Sequence, residues 1–210
     1  QYDLAQEFPD EVQAAAYQVP QTVMPQEYEG RRDRRSFTVV TIDGDDSKDF
    51  DDAVYAERRE DGGWFLGVYI ADVSWYVREG EPLDREAYAR GTSVYLVDRV
   101  IPMLPERLCN DVCSLRPGED RLTMGVLLRL DAQGAILSAD PCRSLIRSKA
   151  RLSYDQADAL LAGTLEAGAL PCERAWAQGV ADAIRVLDEV ARLRQRIRHD
   201  RGAVDFATRE

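Results

Sequence analysis

Thr41-Ile42-Asp43-Gly44-Asp45-Asp46-Ser47-Lys48-Asp49-Phe50-Asp51-Asp52-Ala53 joins two β-patterned runs through a loop crowded with carboxylates. Upstream, Phe37, Val39 and Val40 lead into an apolar run that reads as a strand ending at Asp43. Downstream, residues 53–59 and 64–71 flank Asp61-Gly62-Gly63, the pattern of a β-hairpin. Pro82-Leu83-Asp84 opens a short helix that Gly91 closes, and 93–96 reads as a further strand. A second hairpin is expected from 125–130 and 135–139 around the turn Asp131-Ala132-Gln133-Gly134. Ser153-Tyr154-Asp155 offers N-caps for a helix to Gly163, and Trp176, Val180, Ala183, Leu187, Val190 and Ile197 keep the three-four spacing of a long helix ending at Gly202. Residues 1–36, polar and punctuated by Pro9, Pro20 and Pro25, read as a lead-in segment with one short helix near 12–17. Strands early and helices late predict an α+β fold, with a mixed, largely antiparallel sheet and flanking helices.

Composition narrows the function classes. The 210 residues carry 38 Asp plus Glu against 27 Lys plus Arg, a net charge of −11, and 45% are hydrophobic. That is enough for one good core. No apolar run approaches the ~20 residues that span a bilayer, so no membrane partner is expected. The chain starts at Gln1 without a basic-then-apolar leader, and reads as part of something longer that works in the cytoplasm. Cys109, Cys113, Cys142 and Cys172 are too few and too unevenly spaced for a disulfide scaffold, and Cys109 and Cys113 lack the second ligand pair of a zinc site. Buried free thiols are the better reading.

Between Asp43 and Asp52 six aspartates and one lysine give a local charge of −5. Carboxylates ~4 Å apart repel by ~1 kcal/mol in water and ~4 kcal/mol at an effective dielectric near 20, so the cluster is either spread in solvent or matched by a cation. A bare charge run is usually solvated; here Ile42, Phe50 and the strand resuming at Ala53 tie it to the core. Oxygen-only ligands select a hard ion, Mg2+ or Mn2+. A calcium EF-hand is excluded, because counting from Asp43 the glycine position holds Lys48 and the glutamate position Val54. Asp43-Gly44-Asp45 also resembles the nucleophile loop of haloacid-dehalogenase-like phosphatases, but that leaves Asp49, Asp51 and Asp52 unexplained and needs an alternating strand-helix order. A metal-dependent phosphodiesterase site fits the spacing, provided that the chain bends at Asp51-Asp52 so that both carboxylates face one point.

The same thirteen residues resemble the signature of the RNB catalytic domain of the RNase II and RNase R exoribonucleases. Ile70-Ala71-Asp72-Val73-Ser74, Pro82-Leu83-Asp84-Arg85-Glu86-Ala87, Arg90-Gly91-Thr92-Ser93-Val94-Tyr95 and Val100-Ile101-Pro102-Met103-Leu104-Pro105 resemble successive blocks of that family. So do Cys113-Ser114-Leu115, Ala150-Arg151-Leu152-Ser153-Tyr154 and Arg201-Gly202-Ala203-Val204-Asp205-Phe206. The resemblance implies hydrolytic, processive 3'-to-5' degradation of single-stranded RNA to nucleoside 5'-monophosphates. It implies a Mg2+ site on Asp43, Asp49, Asp51 and Asp52, with Asp43 and Asp52 as direct ligands, and it places on Tyr95 the ring that stacks on the 3'-terminal base. Without it Tyr95 would read as a core aromatic. On this reading 1–36 leads into 37–210, the N-terminal portion of an RNB-like catalytic domain. The rest of that domain and the OB-fold modules of the family, cold-shock and S1, would lie elsewhere in the same or a companion chain. The basic clusters 31–35, 143–151 and 192–201 are candidates to line an RNA channel. The competing reading is a truncated or degenerate RNB module that binds RNA or a protein without cleaving.

Overall fold

The structure, a computed structural model, describes residues 5–204, so Asp205 and Phe206 of the last family-like block lie outside the described residues. Elements follow in the order α1 (Asp10–Gln18), β1 (Arg32–Asp33), β2 (Val40–Asp43), β3 (Asp52–Arg58), β4 (Trp64–Ala71), α2 (Val73–Tyr76), α3 (Pro82–Arg90), β5 (Val94–Tyr95), β6 (Val100–Ile101), β7 (Asp120–Leu130), β8 (Ile136–Arg147), β9 (Ala150–Ser153), α4 (Tyr154–Leu161) and α5 (Ala177–Asp200). Seven strands form one sheet in the order β1-β8-β7-β4-β3-β2-β9, and β5 and β6 make a separate ribbon. The β2–β3, β3–β4, β4–β7 and β7–β8 pairings are antiparallel, while β1–β8 and β2–β9 are parallel. This is the mixed, largely antiparallel α+β arrangement expected from the element order.

Alternation along the strands gives the sheet two apolar faces. Val39, Ala53, Tyr55, Tyr69 and Ala71 pack on one side with Val12 and Ala16 of α1, Leu83 of α3 and the segment Leu108, Val112 and Leu115. Val40, Ile42, Val54 and Leu152 face the other way, against Leu160 of α4 and Val180, Ala181 and Ile184 of α5. Further along α5, Val190 covers Trp64 and Leu130. The lead-in segment is thus packed into the first layer, and its strand β1 pairs with Ser144 and Leu145. Local chemistry explains the ends. Gly62, at φ +81, turns the β3–β4 hairpin. Ser153 and Gln156 cap α4 reciprocally, the hydroxyl accepting from the Gln156 N–H and the Gln156 carbonyl from the Ser153 N–H.

Two features exceed the sequence reading. The second hairpin is longer on both arms, because β7 pairs with β4 from Thr123 to Leu130 and β8 continues through Pro141 to Arg147. Proline there is tolerated because β1 borders β8 only at Ser144 and Leu145, which leaves an open edge at Pro141. At the middle of the sheet the Tyr69 ring lies over two glycines. A Cβ at Gly67 would come within 2.8 Å of that ring, and one at Gly125 within 2.5 Å. Overpacking of that kind costs about 1–3 kcal/mol. Gly125→Ala is therefore expected to lower the urea midpoint, and pairing it with Tyr69→Leu should recover part of the loss; equal midpoints for Gly125→Ala and the parent chain would contradict the packing.

Candidate active site

Asp43 is the last residue of β2 and Asp52 the first of β3, so the adjacent antiparallel strands deliver both ends of the acidic loop to the same end of the two strands. The downstream half of the loop is fastened by bonds to distant segments. Ser114 Oγ donates to the Lys48 carbonyl at 2.9 Å and accepts the Phe50 N–H at 3.1 Å. The Phe50 carbonyl accepts from Leu115 N, and the Asp51 carbonyl from Ala71 N, both at 2.8 Å. The Ala71–Asp51 bond carries the pairing with β4 one residue past the Asp52–Ile70 pair, and the backbone makes no turn or bend at Asp51-Asp52, so both carboxylates reach the cavity without the expected bend. The upstream half is held more locally. Gly44 N donates to Asp43 Oδ1 at 2.8 Å, Ser47 N closes a turn on the Gly44 carbonyl at 3.2 Å, and Ser47 Oγ meets Asp49 Oδ1 at 3.3 Å.

The four expected aspartates and the expected tyrosine are brought together: Asp43, Asp49, Asp51, Asp52 and Tyr95 line one cavity of about 450 Å³, with Asp46, Ser47 and Val100. Asp46, which the resemblance does not single out, lines the cavity as well. An adjoining cavity of about 570 Å³ shares Asp46, Asp49, Asp51 and Tyr95, and is also lined by Lys48, Arg99, Met103 and Cys109. Tyr95 is 72% exposed, so it is not a core aromatic. Val94 and Tyr95 pair with Ile101 and Val100, which sets the ring at the cavity wall.

The electrostatics are those of gathered like charges. Asp51 keeps solvent contact at the cavity, yet loss of hydration, followed by the charges of Asp49, Asp52 and Asp43, pushes its carboxyl from 3.8 up to about 6. Asp52 is raised by burial and by Asp43. The Tyr95 hydroxyl is raised by partial burial and then by Asp49, Asp51 and Asp43. Burial, with Asp49 and Cys109 respectively as the next causes, pushes the Cys109 thiol to about 11 and the Cys113 thiol to about 12. Neither thiol is ionised at neutral pH, and all four cysteines are free. Among the described residues, no ion pair involves a carboxylate of the loop.

Among the described residues, no three His, Cys, Asp or Glu side chains converge closely enough to make a complete cation cage. The donor set still fits a hard ion, because Mg2+ retains several waters and needs only one or two protein carboxylates. Oxygen donors around an open, unneutralised cavity suit that mode. Part of the basic clusters is engaged elsewhere. Arg31 is buried against Asp72 at 2.6 Å, Arg35 bridges Asp33 and Asp120, Arg147 meets Asp120 at 2.7 Å, Arg32 pairs with Asp140, and Arg192 with Asp188. Of these clusters it is Arg151 that touches the acidic loop, through the Gly44 and Asp45 carbonyls. Neither Ser114 nor Arg151 stood out beyond its place in a family-like block.

Residues 31–210 match the RNB domain family. The chain belongs to the RNB-domain family. It is 45% identical over 208 residues to ribonuclease R 1 of Lactococcus lactis subsp. lactis, covering 99% of this chain and 25% of that protein. It is 44% identical over 198 residues to ribonuclease R of Thermotoga maritima, covering 94% and 27%. The RNB-domain chain thus spans about a quarter of the length of the curated relatives it matches. Among solved structures, Mycoplasma genitalium RNase R in complex with ribose-methylated single-stranded RNA superposes with a TM-score of 0.88 at 33% identity, over 97% of this chain and 31% of that one. The same enzyme with double-stranded RNA gives 0.87.

The raised Asp51 carboxyl makes a pH prediction. A folded-state value of about 6 above the ordinary 3.8 means that folding holds a proton which the unfolded chain releases in that window, so stability falls as pH rises from 3.8 to about 6. In metal-free buffer, Asp51→Asn is expected to match the parent chain in urea midpoint near pH 3.8 and to exceed it increasingly up to about pH 6. A constant difference across the window would contradict it.

Proposed function

We propose that this chain forms the aspartate-bearing part of a metal-dependent, hydrolytic 3'-to-5' exoribonuclease site that degrades single-stranded RNA to nucleoside 5'-monophosphates in the cytoplasm. The observation that carries the reading is the shared cavity of Asp43, Asp49, Asp51, Asp52 and Tyr95. RNA brings further negative charge to a chain of net charge −11 and to a cavity ringed by carboxylates. A divalent cation is therefore the precondition for a phosphate to enter. Asp43 and Asp52 would hold Mg2+, or Mn2+ in its place, and Asp49 and Asp51 would orient and complete the site. The ion supplies an activated water and neutralises charge on the leaving oxygen. Tyr95, exposed at the wall, offers its ring to the 3'-terminal base, a stack worth ~1–3 kcal/mol.

Relatives of about four times this length leave room for the remainder of the RNB domain and for OB-fold modules that guide RNA, in the same or a companion chain. A second reading, a module that binds RNA or a protein without cleaving, is favoured by one observation: the carboxylates stand apart rather than in a complete cage.

A single test separates the two. This chain is mixed with a companion chain holding the remainder of a ribonuclease R relative, then given Mg2+ and unstructured 5'-labelled RNA. Stepwise release of monophosphates is expected, lost on chelation. Asp51→Asn should slow it at least ~10²-fold with RNA binding within twofold, and Tyr95→Ala should weaken binding by ~1–3 kcal/mol. RNA bound by the mixture but never shortened would establish the non-cleaving reading.

A further inference from the structure

We infer that Arg151 is a positioning residue that sets the gap between the two halves of the carboxylate ring. The inference rests on the metal-dependent reading above and names how this chain would tune its cation.

The two halves of the loop are held unequally. Residues 48–51 are fixed from outside by Ser114, Leu115 and Ala71, through four hydrogen bonds of 2.8–3.1 Å. Among the described residues, 44–46 have no such bonds to another strand except at one side chain. Arg151 lies on β9, opposite Thr41 in the parallel β2–β9 register, two positions before the Ser153–Asp43 pair. Its Nη2 donates to the Gly44 carbonyl and, at 3.0 Å, to the Asp45 carbonyl. Its Cζ stands 5.4 Å from the centroid of the Phe50 ring. One guanidinium therefore touches both halves: the upstream backbone through hydrogen bonds and the fastened half through a cation–π contact.

The placement of the charge matters as much as its presence. The guanidinium contacts carbonyl oxygens and forms no ion pair with Asp43, Asp46, Asp49, Asp51 or Asp52 among the described residues. It steadies the loop without occupying the carboxylate oxygens that a cation needs. Its Nε is buried and without a partner, so no second network fixes the fork; the two carbonyls and the Phe50 face orient it. Lysine would keep the charge and a donor for the carbonyls but would lack the planar guanidinium face that lies on the Phe50 ring. Asp43 is fixed in β2 by its pairing with Ser153, so what runs through Arg151 is the distance of the turn bearing Asp46 from Asp49 and Asp51, and in an open ring that distance decides how well a cation is shared.

The test is calorimetric titration of this chain with MnCl2, alongside Arg151→Lys, Arg151→Gln and Phe50→Leu, with urea unfolding of each in metal-free buffer. The expected result is Mn2+ affinity lowered at least ~10-fold in Arg151→Gln, less in Arg151→Lys and in Phe50→Leu, a range typical of groups that orient ligands. The unfolding midpoints should not follow that order. Equal Mn2+ affinity in the parent chain and in both Arg151 variants would overturn the inference while leaving the metal-dependent reading intact. Loss of affinity strictly in proportion to lost stability would make Arg151 a plain tether and would also overturn it. No Mn2+ binding by the parent chain, with Asp43→Asn indistinguishable from it, would instead sink the metal-dependent reading and this inference with it.

Discussion

Mutual repulsion among carboxylates governs this molecule. Carboxylates ~4 Å apart repel by ~1 to ~4 kcal/mol depending on how much water remains between them. A backbone hydrogen bond returns only about 0.5–1.5 kcal/mol net, so the four bonds that fasten residues 48–51 are of the same order as the strain they oppose. They suffice because the segments that supply them are themselves anchored. Ser114 and Leu115 are fully buried, and Ala71 ends a central strand. The acidic loop is thus an extension of the sheet and of the buried turn beside it, and its charge stays unneutralised by any ion pair among the described residues.

The same constraint explains the layering. Covering both faces of the sheet leaves the strand ends of β2 and β3 as the place where Asp43 and Asp52 emerge, and the β5–β6 ribbon brings Tyr95 and Val100 across from them. The parallel pairing of β9 with β2 carries Arg151 and Ser153 to that end of the strands from more than a hundred residues away in sequence. Nothing local demands this pairing; it follows from α4 and α5 having to return across the face opposite α1 and α3.

Most of the strands and helices were legible because their signals are local. The hairpin at Asp61-Gly62-Gly63, the helix begun by Pro82 and the apolar spacing of α5 each depend on a few neighbouring residues. The candidate site was legible as a composition, six aspartates in ten residues, and the resemblance selected four of them. Asp46 escaped because side-chain direction in an irregular loop has no periodic signature, and Ser114 because its partners Lys48 and Phe50 lie far off in sequence. The arginine clusters were legible only as charge: runs of arginine show where cations are, whereas the pairing of Arg31, Arg35 and Arg32 with Asp72, Asp120 and Asp140 is decided by tertiary contacts.

Tyr69 and its two glycines carry a historical consequence. The ring fills the volume that side chains at 67 and 125 would otherwise claim, so the three positions form a single unit of change, in which a lineage must shrink the tyrosine before either glycine can grow. Ile70, the next residue, sits opposite Asp52, so any repacking that shifts this strand also shifts a wall of the acidic cavity. Drift at the centre of the sheet is thereby answerable to selection at the ends of its strands, and the triplet should be inherited or exchanged as a block.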